Sequence, residues 1–131
     1  RMTTTYQKIL KPRVNGVALT PEKIKALRGV ELRDQIAVSL FGYVGKSAFW
    51  DGCRAYESNI RAAWEVDRPD WLWQSQEYWD GIEFTVKTTD GTRAEYFHTT
   101  DGKPTPGDYA TARCIAALLL DAQIGDLESE R

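Results

Sequence analysis

The chain has 131 residues, 42% of them apolar and 27% charged, with a formal net charge of −2. That length supports one domain around one core and is too short for two, and the balance is that of a globular chain rather than a disordered one. Two cysteines and one histidine exclude a disulfide framework and a four-ligand His/Cys zinc cage; no apolar run approaches the ~20 residues of a membrane span, so the expectation is a soluble intracellular domain.

Charge is unevenly spread. Residues 1–61 hold 11 Lys/Arg against 5 Asp/Glu, and residues 62–131 hold 6 against 14. Such asymmetry speaks to partners rather than to fold. A basic face could meet an anionic ligand, an acidic face a basic protein, or the two could meet in a homo-oligomer; folding could equally interleave both signs.

Residues 1–19 read as an arm or edge. Asn15-Gly16 is a turn signal between Val14 and Val17, and Pro12 argues against a central strand. Thr20-Pro21-Glu22 opens the first helix, with Thr20 as N-cap and Pro21 at the first helical position. Gly29 weakens or breaks it. Leu32, Ile36 and Leu40 then recur at helical spacing, with Ala37 and Phe41 alongside, and Gly42 is placed as the left-handed stop. The expectation is helix over about 21–41, in one or two pieces.

Residues 43–57 lack a period and read as an ordered, aromatic-rich loop. Ser58 is expected to cap a short helix over about 58–67, with Ile60, Ala63 and Trp64 on its buried face and Pro69 beyond it. Trp71 and Trp73 alternate in a short strand. Ile82, Phe84 and Val86 alternate with Glu83, Thr85 and Lys87, and Asp90-Gly91 signals a hairpin to 92–98. A three-residue loop with Gly91 left-handed sets Val86 opposite Ala94, Phe84 opposite Tyr96 and Ile82 opposite His98, which keeps the apolar residues on one face.

The last helix is expected over about 108–123, with Ala112, Ile115, Ala116, Leu119 and Ala122 on one arc and Arg113 and Asp121 away from it. Gly125 is the expected stop, followed by an acidic tail at 125–131. The order predicts an α+β fold, a layered sandwich of helices on a small antiparallel sheet that contains a β-hairpin, with 1–131 as a single domain.

Three stretches carry a resemblance: ELRDQIAVSLFGY at 31–43, YESNIRAAWEV at 56–66 and ATARCIAALLL at 110–120. Together with the tryptophan-rich hairpin between them, they resemble the phage ABA sandwich domain family of small bacteriophage and prophage proteins over about residues 31–120. Gly42-Tyr43 matches the Gly-aromatic end of that family's first helix. Tyr56, Ile60, Ala62, Ala63, Trp64, Glu65 and Val66 match the turn and helix that follow, and Ala112, Cys114, Ala116, Ala117 and Leu118 match the last helix. The family's turn reads Ser-Thr-Asp where this chain has Glu57-Ser58-Asn59, a change that keeps a capping role and removes any role for the Thr or Asp. The resemblance implies an α+β fold and a viral accessory protein in the cytoplasm of a bacterial host. By analogy of origin it also implies inhibition of a host factor or anti-phage defence system.

No catalytic constellation stands out. His98 is the single imidazole, with Glu83 and Glu95 near in sequence but no nucleophile in a motif beside it. Cys53 and Cys114 form no Cys-x-x-Cys pair; Cys114 in an alanine-rich helix reads as a small hydrophobe, and Cys53 has Arg54 beside it. Asp80, Glu83, Asp90 and Glu95 lack a calcium-loop pattern, and Gly45-Lys46-Ser47 lacks the P-loop spacing and follows a helix. The reading is therefore non-enzymatic, with no cofactor and no metal.

Five tryptophans are the unusual feature. Trp71 and Trp73 either pack under helices or, with arginines near in sequence, form a surface that clasps a base or phosphate-bearing ligand. The candidate partner-binding set is Trp50, Arg54, Tyr56, Arg61, Arg68, Trp71, Trp73, Trp79 and Arg93. The expected partner is a host bacterial protein or a nucleotide signal, with no membrane and with self-association into a homo-oligomer. The alternative is nucleic acid held by the basic N-terminal half, against which stand an isoelectric point near 5.4 and the absence of a recognised binding motif.

Overall fold

The computed structural model describes residues 13–14, 17–43 and 54–129. The arm before Arg13, the Asn15-Gly16 turn and the loop residues Lys46, Trp50 and Cys53 lie outside the described residues. Strands β1 (Arg13–Val14) and β2 (Val17–Ala18) pair antiparallel on either side of Asn15-Gly16, Val14 with Val17.

Helix α1 (Pro21–Ala26) begins as its sequence predicts: the Thr20 side chain accepts from the Lys23 amide at 3.3 Å and Pro21 takes the first turn. Leu27 and Arg28 are extended, and α2 (Gly29–Phe41) starts at Gly29 with φ 59°, so the helical region is in two pieces. α2 ends at Gly42 in the left-handed conformation (φ 75°), with the Tyr43 amide donating to the Ala37 carbonyl at 3.1 Å. Its buried face carries Leu32, Ile36, Ala37 and Leu40. Gln35 and Ser39, also buried, satisfy each other at 2.9 Å.

Helix α3 (Ile60–Ala63) is a single turn rather than the expected 58–67. Asn59, not Ser58, is the cap: its Oδ1 accepts from the amides of Arg61 and Ala62 at 2.9 and 3.2 Å. The buried face is then Ala62, Ala63 and Val66, while Trp64 is 58% exposed and Ile60 37%. The expected core position of Trp64 is corrected, because the helix has ended before it.

Strands β3 (Trp71–Tyr78), β4 (Gly81–Thr88) and β5 (Arg93–Thr99) form an antiparallel meander in the order β3-β4-β5. The β4–β5 register sets Val86 against Ala94, Phe84 against Tyr96 and Ile82 against His98, as the three-residue loop requires. Gly91 has φ 97°, its amide donates to the Thr88 carbonyl at 3.1 Å, and the Thr88 amide donates to Thr92 at 2.8 Å. β3 runs further than its two tryptophans suggest. From Gln74 onward it is exposed, which leaves a polar stretch without apolar alternation to read.

Helix α4 (Pro106–Ser129) passes through Gly125 without stopping there. A glycine costs only ~1 kcal/mol inside a helix, and Gly125 is absent from the left-handed glycines. Thr105 and Asp108 cap the start reciprocally: the Asp108 amide donates to Thr105 Oγ1 at 3.3 Å, and the Thr105 amide to Asp108 Oδ2 at 2.9 Å. Residues Ala112 to Leu120 are buried without a break. A helix buried all round lies inside the fold, and α4 contacts β4 and β5 as well as α1, α2 and α3. The result is an α+β layering of helices on a three-stranded antiparallel sheet. The other face of the sheet carries Leu72, Gln74, Glu83, Lys87, Arg93 and Glu95, the mixed composition of a face left to water. No helix among the described residues is long and apolar enough to cross a membrane.

Candidate functional site

Segment 56–66 makes one helical turn, so several of its carbonyls need partners from elsewhere, and α4 supplies them. Thr111 Oγ1 donates to Glu57 O at 2.9 Å, Arg113 Nε to Ala63 O at 2.9 Å and Cys114 Sγ to Tyr56 O at 3.2 Å. Buried carbonyls must be paired; Thr111 and Cys114 bond those of Glu57 and Tyr56, and Arg113 adds a second donor to Ala63 O, which also accepts from the Val66 amide at 3.0 Å. Arg113 is therefore 5% exposed and inside the fold, not on the outer arc expected for it.

The guanidinium of Arg113 lies between two indoles, 3.7 Å from the ring centre of Trp73 and 4.3 Å from that of Trp64. Asp67 completes the cluster: its Oδ1 accepts from Trp73 Nε1 at 2.8 Å and from the Arg68 amide at 2.8 Å. Burial draws the Arg113 pKa down to about 10, against the opposing pull of Asp67, so the side chain is charged at neutral pH. Trp71 and Trp73 meet at 6.2 Å, and Trp73 meets Phe84 edge-on at 6.0 Å. The cation that the tryptophans clasp is thus the protein's own. Trp64 remains more than half exposed as the outer wall of the cluster.

The expected arginine–tryptophan set does not converge. Tyr56 is 3% exposed, stacked on Phe41 at 4.7 Å, and Trp71 is 6% exposed; both belong to the core and are corrected as surface residues. Arg54 is exposed and paired with Glu65, and Arg93 with Glu95 on the outer sheet face. Arg61 is exposed on α3, while Arg68 is held near Trp73 through its backbone. Trp79 is 81% exposed in the β3–β4 turn, about 27 Å along the strand from Trp71 at ~3.4 Å per residue. Trp50 lies outside the described residues. Arg113 is the residue that sequence reasoning missed; an arginine flanked by Ala112 and Cys114 in an otherwise apolar run was its one signal.

A second apolar group sits at that turn. Tyr78 and Phe97 meet edge-on at 5.7 Å and are 38% and 44% exposed. Phe97 lies across Gly81, where an added Cβ would come within 2.9 Å of Phe97 Cε2 and of the His98 carbonyl. With Trp79 these rings form an aromatic end to the sheet.

His98 lies at the rim of the inner face, 8% exposed. Its Nδ1 is 3.1 Å from the Tyr96 hydroxyl, which accepts from Arg28 at 3.1 Å, and its Nε2 is 3.6 Å from Asp108. Burial, then Arg28, pushes the imidazole pKa down, and Asp108 opposes both. Asp108 is also tied to Thr105 in the helix cap. Cys114 is buried, and burial raises its thiol pKa. No cluster of three or more metal-ligating side chains occurs among the described residues. No protein-family model, curated protein or solved structure matches the chain.

Proposed function

We infer that the chain is a non-enzymatic binding protein of bacteriophage or prophage origin that inhibits a host factor in the bacterial cytoplasm, by covering a protein surface or by sequestering a nucleotide signal. One observation carries the binding part. Trp79 stands 81% exposed, and its neighbour Tyr78 contacts the exposed Phe97. Leaving a large apolar side chain in water forgoes ~1.5–3 kcal/mol of burial, and tryptophan is among the residues most enriched at interface hot spots. Origin and inhibitory role rest on the family resemblance of segments 31–43, 56–66 and 110–120.

The test compares the chain with Trp79→Ser. Thermal unfolding is followed against mono-, di- and cyclic nucleotides and short DNA, and host proteins are captured on both forms. The expected result is one nucleotide that raises Tm by several degrees, as ~2.7 kcal/mol of linkage at 100 Kd would, or one stoichiometric host protein. Trp79→Ser should lose either one at unchanged Tm. A Trp79→Ser chain that keeps the full effect in the host overturns the assignment of the site. Substrate turnover by the pure chain, abolished by a point substitution, overturns the binding-only reading. A shift with DNA that disappears in salt would favour nucleic acid instead.

A further inference from the structure

Among the described residues, β3 has a neighbour on one side only, β4. The pairing runs through eight residues without a bulge, from Trp71↔Thr88 to Tyr78↔Gly81. Tyr78 and Gly81 flank a two-residue turn, so they exchange both backbone bonds. Alternation then turns Leu72, Gln74 and Gln76 toward β4 and leaves the N–H and C=O groups of Trp73, Ser75 and Glu77 pointing off the edge. The Trp71 amide confirms the phase, since it donates to Arg68 O at 3.0 Å and not to β4. The usual side-chain guards are missing from β3 itself. Between Trp71 and Tyr78 there is no Pro, Lys or Arg, and the one acid, Glu77, is held by the Tyr109 hydroxyl. Gln74 to Trp79 are all exposed.

We propose that β3 is the interface of a symmetric dimer, pairing antiparallel with β3 of a second copy about a two-fold axis at Ser75 to build a six-stranded sheet. The outward groups sit on odd-numbered residues, so only odd can face odd. The axis is therefore normal to the sheet, and both helical layers fall on one side. Centring at Ser75 sets Trp73 against the partner's Glu77, Gln74 against the partner's Gln76 and Leu72 against the partner's Tyr78. Leu72 and Tyr78, 53% and 38% exposed in one chain, would cover each other. With Phe97 already on Tyr78, an apolar row would cross the junction on the outer face. Centring at Gln74 places Leu72 against Gln76 and Tyr78 against Asp70; centring at Gln76 places Leu72 against Asp80. Ser75 is the centre that matches apolar with apolar. It also keeps the two Glu77 side chains about 14 Å apart at ~3.4 Å per residue, beyond the ~8 Å screening length of physiological salt. A self-complementary register is the property a two-fold interface needs, which is why the occupant is a second copy.

Sedimentation velocity of the full chain from micromolar to near-millimolar concentration tests this. The expected species is twice 14.9 kDa. Ser75→Pro removes a donor that β3–β4 pairing does not use, so the chain should sediment as a monomer with its circular dichroism unchanged. Leu72→Glu, at an exposed outer-face position, should weaken the dimer at least tenfold and serves if Ser75→Pro does not fold. Ser75→Cys should cross-link under mild oxidation where the parent does not, since facing Cα atoms in a hydrogen-bonded pair are ~5.5 Å apart. A chain that stays monomeric throughout overturns the proposal, whether or not it binds an extended peptide from another protein. So does a dimer that survives both Ser75→Pro and Leu72→Glu, or one that Ser75→Cys fails to cross-link.

Discussion

The guanidinium of Arg113 lies 3.7 Å from the ring centre of Trp73, while its Nε donates to the Ala63 carbonyl at 2.9 Å. One side chain thereby ties α4 to β3 and to the C-terminal residue of α3. Arg113→Ala removes the cation–π contacts and one of the two hydrogen bonds to the Ala63 carbonyl, which keeps the Val66 amide at 3.0 Å, and opens a cavity; it should cost about 3 kcal/mol in urea unfolding. Arg113→Lys keeps the charge but cannot lie flat between two rings, and should cost ~1–2 kcal/mol. Tryptophan emission should shift to the red in both as Trp64 loses its inner contact. Unchanged stability in Arg113→Ala would mean the sandwich contributes nothing.

His98 makes stability pH-dependent. Its folded pKa is depressed below 6.5, chiefly by burial and then by Arg28. Between those two values the unfolded chain binds the proton that the folded one refuses. The contribution is therefore complete above 6.5 and is lost as pH falls through the folded value. Asp108 is depressed below 3.8, chiefly by the Thr105 amide, and adds a second loss at more acid pH. Urea midpoints should fall below pH 6.5, and His98→Gln should flatten the upper part of that fall. An identical pH profile for His98→Gln would contradict this.

Gly81 is required by close approach rather than by its backbone angle. A Cβ there would press on Phe97 and on the His98 carbonyl. Gly81→Ala should cost about 2 kcal/mol as overpacking. Phe97→Leu removes the ring but not the carbonyl, so a double-mutant cycle should recover part of the loss. Purely additive costs would show that Phe97 is not the obstacle.

Cys114 should be inert while the protein is folded. It is fully buried, its thiol donates to Tyr56 O, and burial disfavours the thiolate that would react. Labelling with iodoacetamide, read at the Cys114 peptide by mass spectrometry, should follow global unfolding. Rapid labelling under native conditions would place a sub-global opening at α4.

Where physics is local, the sequence was enough. The Thr20-Pro21 start, the break at Gly29, the Gly42 stop and the Gly91 loop each depend on a few adjacent residues. The β4–β5 register followed because a slip of one residue would have set Glu95 and Phe97 opposite Val86 and Phe84 and turned Ala94 and Tyr96 to the other face. The helix 58–67 failed on a one-residue choice of cap. Asn59 in place of Ser58 turns the face by a residue, and an early end leaves Trp64 outside.

The candidate site was less legible, since its membership depends on what lies across from each side chain. Arg113 looked like a solvent-facing residue on α4 because an arc drawn from apolar spacing assumes water on the far side. The structure has the 56–66 turn there, with carbonyls to satisfy and two indoles to receive the charge. Tyr56 stood in the partner-binding set and Trp71 was left open between core and surface, because residue type does not state burial. The sequence by itself determined the α+β order, the Thr20 cap, the Gly42 stop and the hairpin phase, all set by contacts within a few residues or by the period of the pleat. Only tertiary structure decided which tryptophans are core and which cation they hold, because those depend on residues distant in the chain being brought together by one shared core.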